Sequence, residues 1–285
     1  MIPFTSAEHG VIQVTDLSYT IGHSYLLQEV SCAFKTGKIH AILGQNGAGK
    51  STLLNCLSHE LTPSQGAIKW NGQPLNDYDY ADLACQRAVL SQSIELAFSF
   101  SVQELVELGE EVQQRPPNQA LSVVETVLKI CDIEHLRHRD YLTLSGGEQK
   151  RTQLARVLAQ IWPVNSEARS IDKYADDQPS FSGQWLFLDE WTAGLDIKHQ
   201  QRLGRYFKQW AAQGLGIIMV LHDISFAAQL ADRCLILKSG EVFADGDVCS
   251  TLTQDILESA MEISVRVENH PQTNCPIIYP SLESF

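Results

Sequence analysis

Residues 44–51 have the residue types and the spacing of a phosphate-binding loop. They read Gly-Gln-Asn-Gly-Ala-Gly-Lys-Ser, which is the pattern Gly-x-x-x-x-Gly-Lys-Ser. Gly47 and Gly49 let consecutive backbone N–H groups turn inward and form a nest for phosphate oxygens. Lys50 adds a charge that reaches the β- and γ-phosphates of a nucleotide, and Ser51 adds an oxygen ligand for Mg²⁺. A glycine-rich turn with a surface lysine is the alternative.

The segments on either side of this phosphate loop favour the nucleotide site. Residues 38–43 are typical of a buried strand, and residues 52–57 present the apolar face of a helix. The positive end of that helix dipole then adds to the nest. The residues predicted to bind the nucleotide here are Gly44, Gln45, Asn46, Gly47, Ala48, Gly49, Lys50, Ser51 and Thr52.

A second chemical signal is an apolar strand that ends in two acids, at residues 185–190. Parallel α/β sheets bind their ligands at the carboxyl ends of the strands. Asp189 is therefore predicted to join the Mg²⁺ shell, and Glu190 to orient and deprotonate an attacking water. Alone, such a strand end could be a solvated turn. Together with the phosphate loop it indicates a hydrolase site.

A third signal is Leu-Ser-Gly-Gly-Glu-Gln at residues 144–149. Ser145 and Glu148 fit a capping box that starts a helix, and Gly146 and Gly147 leave the N–H groups at its tip open to an anion. A well-capped helix is the simpler interpretation. Because the chain already has one phosphate-binding helix tip, a second suggests a γ-phosphate shared with another copy of the chain.

The pattern of apolar residues predicts two kinds of strand. Alternating segments, which predict an antiparallel sheet with a hairpin turn at Asn71-Gly72, are residues 11–14, 25–34 and 67–70. Segments that look buried on both faces, which predict a parallel core, are residues 88–90, 185–188, 217–221 and 234–237.

Helical periodicity replaces these patterns between residues 99 and 162, with a break at residues 115–118. Leu154, Val157, Leu158 and Ile161 are expected on one buried helix face. A polar insertion follows at residues 163–184, and a further helix is expected at residues 254–261.

Composition limits the possible partners and locations. The 285 residues include 44% hydrophobic residues, and 21 basic against 34 acidic side chains give a net charge of −13. This balance argues against broad contact with nucleic acid. The sequence has no apolar run that could span a bilayer and no secretory signal, so a cytosolic location is expected. Seven scattered cysteines lack a Cys-x-x-Cys pair and are expected to stay reduced.

The three motifs occur in the order found in ABC transporters, and essentially the whole chain resembles the nucleotide-binding subunit of that family. The resemblance implies an α/β fold: a P-loop NTPase core with a mostly parallel sheet, a flanking antiparallel β subdomain and an inserted helical subdomain. We expect one ABC ATPase domain, with the core and β subdomain over residues 1–92 and 163–262. The helical subdomain is expected over residues 93–162 and a tail over 263–285.

The resemblance also implies roles for single residues. Two subunits pack head to tail in this family, so Ser145, Gly146 and Gly147 would cover the ATP held by another copy. Tyr19, with Tyr25 as the alternative, would stack on adenine, and Gln92 would contact Mg²⁺ and the water. His222 would contact the γ-phosphate, and Asp196 would lie in the loop that crosses the dimer interface.

One residue departs from the family pattern. A proline usually follows the catalytic glutamate, and this chain has Trp191 there. Because Glu190 and the later Gly-Leu-Asp at residues 194–196 are present, we expect altered loop rigidity or turnover in an active enzyme.

Within the family, the chain is similar to the subunits of metal-chelate importers, and most to those of haem (hemin) importers. Iron-siderophore and cobalamin are the alternative cargoes. The resemblance implies two membrane permease subunits, a periplasmic binding protein as an indirect partner, and a peripheral position on the cytoplasmic face of the inner membrane. Residues 97–108 would receive a short helix from the permease.

Proteins of other classes share these motifs. A DNA-repair or chromosome-maintenance ATPase would need a long coiled coil between Gln92 and Leu144, and a translation-associated ABC protein would carry two cassettes. The sequence has neither feature. A regulatory ATP-binding module, favoured only if Trp191 disables hydrolysis, remains as a third alternative.

Overall fold

The computed structural model describes residues 10–92, 98–163, 180–181, 183–273 and 275–281. The strands in these ranges are β1 (Val11–Ile21), β2 (Ser24–Lys35), β3 (Ile39–Gly44), β4 (Gln65–Trp70), β5 (Gln73–Pro74), β6 (Arg87–Leu90), β7 (Trp185–Asp189), β8 (Gly216–Val220), β9 (Arg233–Lys238), β10 (Glu241–Asp247), β11 (Val265–Asn269) and β12 (Pro276–Pro280). The α-helices are α1 (Lys50–Leu57), α2 (Tyr80–Gln86), α3 (Val102–Glu110), α4 (Pro117–Ile130), α5 (Gly146–Ile161), α6 (Ile197–Ala212), α7 (Ile224–Leu230), α8 (Val248–Thr251) and α9 (Gln254–Met261).

The chain divides into two compact units, residues 1–77 with 218–285, and residues 78–217. In the first unit, an antiparallel sheet has the strand order β2-β1-β4-β5. The turn between β4 and β5 is Asn71-Gly72, with φ angles of 51° and 81°. Two consecutive positive φ angles characterise the tight hairpin turn that this dipeptide predicts. The predicted antiparallel sheet and its hairpin are therefore confirmed.

The first unit also contains a parallel strand pair that leads into the phosphate loop. β3 pairs in parallel with β9, and β9 pairs antiparallel with β10. Five of the six β3 residues are buried, which explains the continuous apolar run in its sequence. β10 did not appear among the predicted strands, because its exposed and half-buried residues alternate without a strong apolar face.

The second unit contains the other parallel pair and the helices. β6 pairs in parallel with β7, whose five residues are all buried. Helix α5 packs against α3 and α4, and the predicted break at residues 115–118 separates α3 from α4. Pro117 is the first residue of α4, a position where a missing backbone N–H costs nothing. The helical part of the sequence is thus confirmed as helical.

Two helices of the second unit begin with the same reciprocal cap. In α5, the Glu148 backbone N–H donates to the Ser145 hydroxyl, and the Ser145 N–H donates to the Glu148 carboxylate (2.8 Å). In α3, Ser101 and Glu104 make the same exchange. The capping box predicted at residues 145–148 is confirmed.

Some expectations fall on residues outside the described ranges. Ala97 and most of the polar insertion at residues 163–184 are among them.

Three of the seven cysteines are buried, Cys56, Cys131 and Cys234, and burial raises the pKa of each thiol to about 12. Among the helices of the described ranges, none combines the length and the apolar character that a membrane crossing requires.

Candidate nucleotide site

The phosphate loop connects the end of β3 to the start of α1. Its three glycines, Gly44, Gly47 and Gly49, have φ angles of 150°, 79° and 95°. Side chains other than glycine rarely adopt these angles, so the loop conformation depends on glycine at these positions. Helix α1 begins directly afterwards at Lys50 and has no acidic residue in its first turn. Its N-terminal N–H groups and its dipole therefore favour an anion.

Close packing within the first unit fixes this loop. A Cβ atom on Gly44 would lie 2.4 Å from the Leu237 carbonyl oxygen, and one on Gly49 would lie 2.5 Å from that of Leu26. The Gly240 N–H donates to the Ala48 carbonyl (3.2 Å), and the Gln45 side-chain amide donates to the Met261 carbonyl (2.7 Å). The loop is thus held by β2, β9, the β9–β10 turn and the end of α9.

Lys50 turns its ammonium group back over the loop. Its Nζ donates to the Gly44 carbonyl (2.9 Å) and to the Gln45 carbonyl (2.8 Å), and the residue is only 6% exposed. The charge is therefore held at the mouth of the nest. A cation, glycine-controlled N–H groups and a helix N-terminus together fit the phosphates of a nucleotide.

His222 lies at the same strand edge as the phosphate loop. It is exposed and follows β8 by two residues. The Leu221 N–H donates to the Ile42 carbonyl (3.3 Å), so the end of β8 lies beside the end of β3. The predicted role of His222 at the γ-phosphate stays a prediction.

The two candidate adenine-stacking residues differ in exposure. Tyr19 is half-buried in β1 opposite Leu27, whereas Tyr25 is 54% exposed at the start of β2. Tyr25, together with Thr20 and His23, lines a depression of about 330 Å³ beside the β1–β2 turn, and Tyr19 is not part of this lining. Both assignments stay predictions, and Tyr25 has the more accessible ring.

In the second unit, three predicted residues meet at the ends of adjacent parallel strands. Asp189 is the last residue of β7 and is 4% exposed, and Glu190 follows it with a left-handed φ of 48°. Gln92 comes two residues after the end of β6. Its side-chain amide donates to the Glu190 carboxylate (2.9 Å). In this arrangement, the Glu190 carboxylate and the Gln92 amide can both contact one water molecule.

Sequence analysis missed Lys150, which contacts the backbone of these residues. Its Nζ lies 3.3 Å from the Gln92 carbonyl oxygen and 3.5 Å from that of Asp189. Burial lowers the pKa of the Lys150 ammonium, and the negative charges of Asp189 and Glu190 oppose that shift. Lys150 lies four residues before Leu154 and therefore on the helix face that was predicted to be buried. A charged residue on that face is the sequence signal that could have identified it.

The N-terminal tip of α5, residues 145–147, is accessible at its first two positions. Ser145 and Gly146 are exposed, and a Cβ atom on Gly146 would meet no atom within 4 Å. The hydrogen bonds from Ser145 hold the pKa of the Glu148 carboxyl below its usual range. A Cβ atom on Gly147 would lie 2.7 Å from the Gly194 carbonyl oxygen, so the tip packs against the loop that carries Asp196.

Asp196 serves first as the N-cap of α6. Its carboxylate accepts from the His199 N–H (2.8 Å) and lies 2.8 Å from His199 Nδ1. These contacts hold the pKa of Asp196 below its usual range. His199 Nε2 in turn lies 3.2 Å from the Asp132 carboxylate. The predicted role of Asp196 across a dimer interface stays a prediction.

Trp191, the departure from the family pattern, is a core residue. Its indole is fully buried and packs edge to face on Phe207 of α6, with a ring separation of 4.9 Å. The Ala193 N–H donates to the Glu190 carbonyl (3.1 Å) and closes the turn after the strand. A buried ring therefore anchors this turn where a proline would restrict its backbone.

The predicted Mg²⁺ ligands each carry a suitable donor atom. Ser51, Gln92 and Asp189 offer a hydroxyl, an amide carbonyl and a carboxylate, which are the hard oxygen donors that Mg²⁺ prefers. The chemistry of these residues therefore fits the ion.

Comparison with known proteins places these features in one family. A family model described as ABC transporter matches residues 27–164. The hemin import ATP-binding protein HmuV of Escherichia coli O157:H7 is 39% identical over 94% of this chain and 98% of its own length. The protein of the same name from Rhodopseudomonas palustris (strain ATCC BAA-98 / CGA009) is 35% identical over 96% of each chain.

The solved structures show the same fold. A bacterial ABC transporter cassette, solved as a dimer, superimposes with a TM-score of 0.68 at 25% identity, and the match covers 83% of this chain and 98% of the cassette. The predicted fold class, an α/β ABC ATPase, is confirmed. With relatives above 30% identity along nearly the whole sequence, this chain belongs to the ABC transporter family.

Proposed function

We propose that the chain is the ATP-binding and ATP-hydrolysing subunit of an ABC importer, and that the importer carries haem (hemin) across the inner membrane. The observation that supports hydrolysis most directly is the hydrogen bond between Gln92 and Glu190 (2.9 Å), next to the buried Asp189. The phosphate loop, with Lys50 held over its mouth, supports nucleotide binding.

The proposed roles of single residues follow from this chemistry. Residues 44–52 bind the phosphates of ATP, and Ser51, Gln92 and Asp189 hold Mg²⁺, which supplies charge neutralisation at the phosphates when bound. Glu190 orients the attacking water and accepts its proton, while Gln92 keeps the carboxylate in place. His222 contacts the γ-phosphate.

We further propose that two copies assemble head to tail. The tip at residues 145–147 is exposed at Ser145 and Gly146, its helix N-terminus favours an anion, and the tip then covers the ATP of the other copy. ATP would close the pair and hydrolysis would let it open, which makes the pair a switch for two membrane permease subunits. A periplasmic binding protein would deliver the cargo, and the chain would sit peripherally on the cytoplasmic face.

Replacing Glu190 by glutamine tests the catalytic assignment. Glu190→Gln keeps the shape of the side chain but removes the proton acceptor, so the hydrolysis rate should fall about 100-fold or more. ATP binding should persist, because the phosphate loop is untouched, and ATP should drive stable dimers. Rates are measured by phosphate release, and dimers by light scattering.

The matched control for this variant is Glu111→Gln, which neutralises an exposed glutamate in the same unit. The control should hydrolyse ATP at the normal rate. Full-rate hydrolysis by Glu190→Gln would remove Glu190 from the proposed role.

The cargo is tested through the membrane partner. The names of the similar proteins support hemin, so hemin with its binding protein should stimulate ATP hydrolysis by the co-purified permease complex in vesicles. An iron-siderophore and cobalamin serve as comparison cargoes. Stimulation by either of these, and none by hemin, would reassign the cargo without changing the ATPase proposal.

A further inference from the structure

Lys150 links the helix that carries the glycine tip to the backbone that carries the catalytic side chains. It is the fifth residue of α5, a little more than one helical turn beyond Gly146. Its ammonium group lies 3.4 Å from the Ser91 carbonyl oxygen and 3.3 Å from that of Gln92, just beyond β6. The same group lies 3.5 Å from the Asp189 carbonyl oxygen, at the end of β7.

These three carbonyl groups match the donor capacity of a lysine. An ammonium has three N–H donors and no acceptor, and the side chain is half-buried, so the carbonyl groups replace much of the water around its charge. A single charge thereby ties the ends of two parallel strands to one helix.

The strand ends held in this way carry the side chains that the proposed reaction needs. Gln92 and Glu190 are hydrogen-bonded to each other, and each is joined to a backbone segment that contacts Lys150. A shift of either segment would therefore change the distance between the amide and the carboxylate. An error of about 1 Å in such a group can lower a catalytic rate about 100-fold.

We propose that Lys150 is a positioning residue for ATP hydrolysis: it holds the backbone of Gln92 and Asp189 in register with α5, so that Glu190 stays oriented and a change at the glycine tip reaches it. This inference rests on the proposed function, because it uses the proposed roles of Gln92 and Glu190. Lys150 itself touches neither nucleotide nor water in this scheme.

The first test replaces Lys150 by methionine in the full-length chain. Methionine keeps the length and the helix propensity of lysine but cannot donate to the three carbonyl groups. We expect kcat for ATP hydrolysis to fall about tenfold, with KM and the affinity for ATP changed less than about twofold. Lys208→Met, an exposed lysine on α6, is the matched control and should keep the normal kcat.

A double-variant cycle separates positioning from a general effect on folding. If Lys150 acts through Gln92, then Lys150→Met should lower kcat much less in a Gln92→Ala background, because the amide that it positions is already absent. An equal loss of kcat in both backgrounds would contradict the inference. So would a kcat for Lys150→Met equal to that of the Lys208→Met control.

A second substitution covers the case in which Lys150→Met does not fold. Lys150→Gln keeps two N–H donors for the carbonyl groups and should retain more of kcat than Gln92→Ala. The inference would be overturned if Lys150→Gln had normal ATP affinity but a kcat as low as that of Gln92→Ala, and if Lys150→Gln lowered kcat by the same factor in the Gln92→Ala background as in the unchanged chain. Measuring Glu190→Gln in parallel tells the two proposals apart. Full-rate hydrolysis by Glu190→Gln would refute the proposed catalytic site. An inactive Glu190→Gln together with a fully active Lys150→Met would refute only the positioning role of Lys150.

Discussion

At the scale of single residues, His40 shows how burial alone changes a side chain's chemistry. Its ring lies in β3, is 3% exposed and packs edge to face on Phe34. His40 Nε2 lies 3.1 Å from the Lys35 backbone nitrogen and 3.0 Å from the Lys35 carbonyl oxygen, so this ring nitrogen contacts the backbone of Lys35 in either tautomer. Burial is the main cause that lowers the pKa of His40 to about 4; the contact with the Lys35 carbonyl opposes this shift, and the nearby Arg233 charge adds to it.

This pKa predicts that the protein loses stability in mild acid. The folded state binds the proton less tightly than the unfolded chain, whose histidines titrate near 6.5, so stability is complete above pH 6.5 and falls toward pH 4. Between pH 7 and pH 5 the free energy of unfolding should decrease by about 2 kcal/mol because of His40. Urea unfolding at the two pH values measures the decrease.

His40→Gln removes the titrating group, so its free energy of unfolding should depend less on pH over this range by that amount. His138→Gln, at an exposed site, should keep the pH dependence of the unchanged chain. An equal pH dependence in His40→Gln and in the unchanged chain would show that another group is responsible.

Residue types also explain why only part of the candidate site was predictable. The glycines of the phosphate loop and the acids after β7 have fixed spacing, so Lys50, Asp189 and Glu190 could be identified from the sequence. Lys150 contacts Asp189, which is 39 positions away, and His199 contacts Asp132, which is 67 positions away. No local sequence pattern predicts contacts between residues so far apart in the chain.

Among the helices and strands, those with a strong periodic pattern of apolar residues were predicted from the sequence, and those with a weak pattern were not. α9 has the predicted bounds, and β7 is as buried as its apolar run indicated. Sequence analysis did not name α6, although its buried Leu203, Phe207 and Trp210 recur at helical spacing, because polar residues dominate the segment between them. The exposed strand β10 carried still less signal.

The break between α3 and α4 contains a buried ion pair that the sequence did not reveal. Arg115 Nη1 lies 3.0 Å from the Glu110 carboxylate, and these side chains are 2% and 7% exposed. The Arg115 guanidinium also donates to the Ala159 carbonyl (3.3 Å) and to the Trp162 carbonyl, at the end of α5. One side chain thus connects the ends of three helices in the second unit.

Removing one partner of this pair should destabilise the protein strongly. Arg115→Met leaves the Glu110 charge buried and unpaired, so the free energy of unfolding should fall by about 3–5 kcal/mol. The double variant Arg115→Met/Glu110→Met removes both charges and should recover part of the loss. Urea unfolding of the two variants gives the comparison, and a double variant no more stable than Arg115→Met would show that the unpaired charge is not the cause.

At the scale of the whole molecule, each chain carries two features that suit a triphosphate. The phosphate loop belongs to the first unit, and the tip at residues 145–147, exposed at Ser145 and Gly146, belongs to the second. The net charge of −13 does not prevent nucleotide binding, because salt screens charges beyond about 8 Å while the loop and its lysine act at contact distance. In a head-to-tail pair, every complete site would draw on both copies.

Mixing two inactive variants tests that arrangement directly. Lys50→Ala disables the phosphate loop of one copy, and Gly146→Asp places a negative charge at the tip of the other, where it repels phosphate but suits the start of a helix. Each variant alone should be inactive. In a mixed pair, the intact loop of one copy faces the intact tip of the other, so one site works. Random pairing makes half of the dimers mixed, and the mixture should recover up to about a quarter of normal hydrolysis.

The matched control is a mixture of Lys50→Ala with Glu190→Gln. Residues 50 and 190 of one copy would serve the same nucleotide, so a mixed pair has one site without its lysine and the other without its general base. This mixture should stay inactive, which is what separates a shared site from nonspecific rescue. If instead Lys50→Ala and Gly146→Asp fail to restore any hydrolysis, although co-purification through an affinity tag carried by only one of the two variants shows that mixed dimers form, then the tip of α5 serves its own chain and the head-to-tail arrangement is wrong.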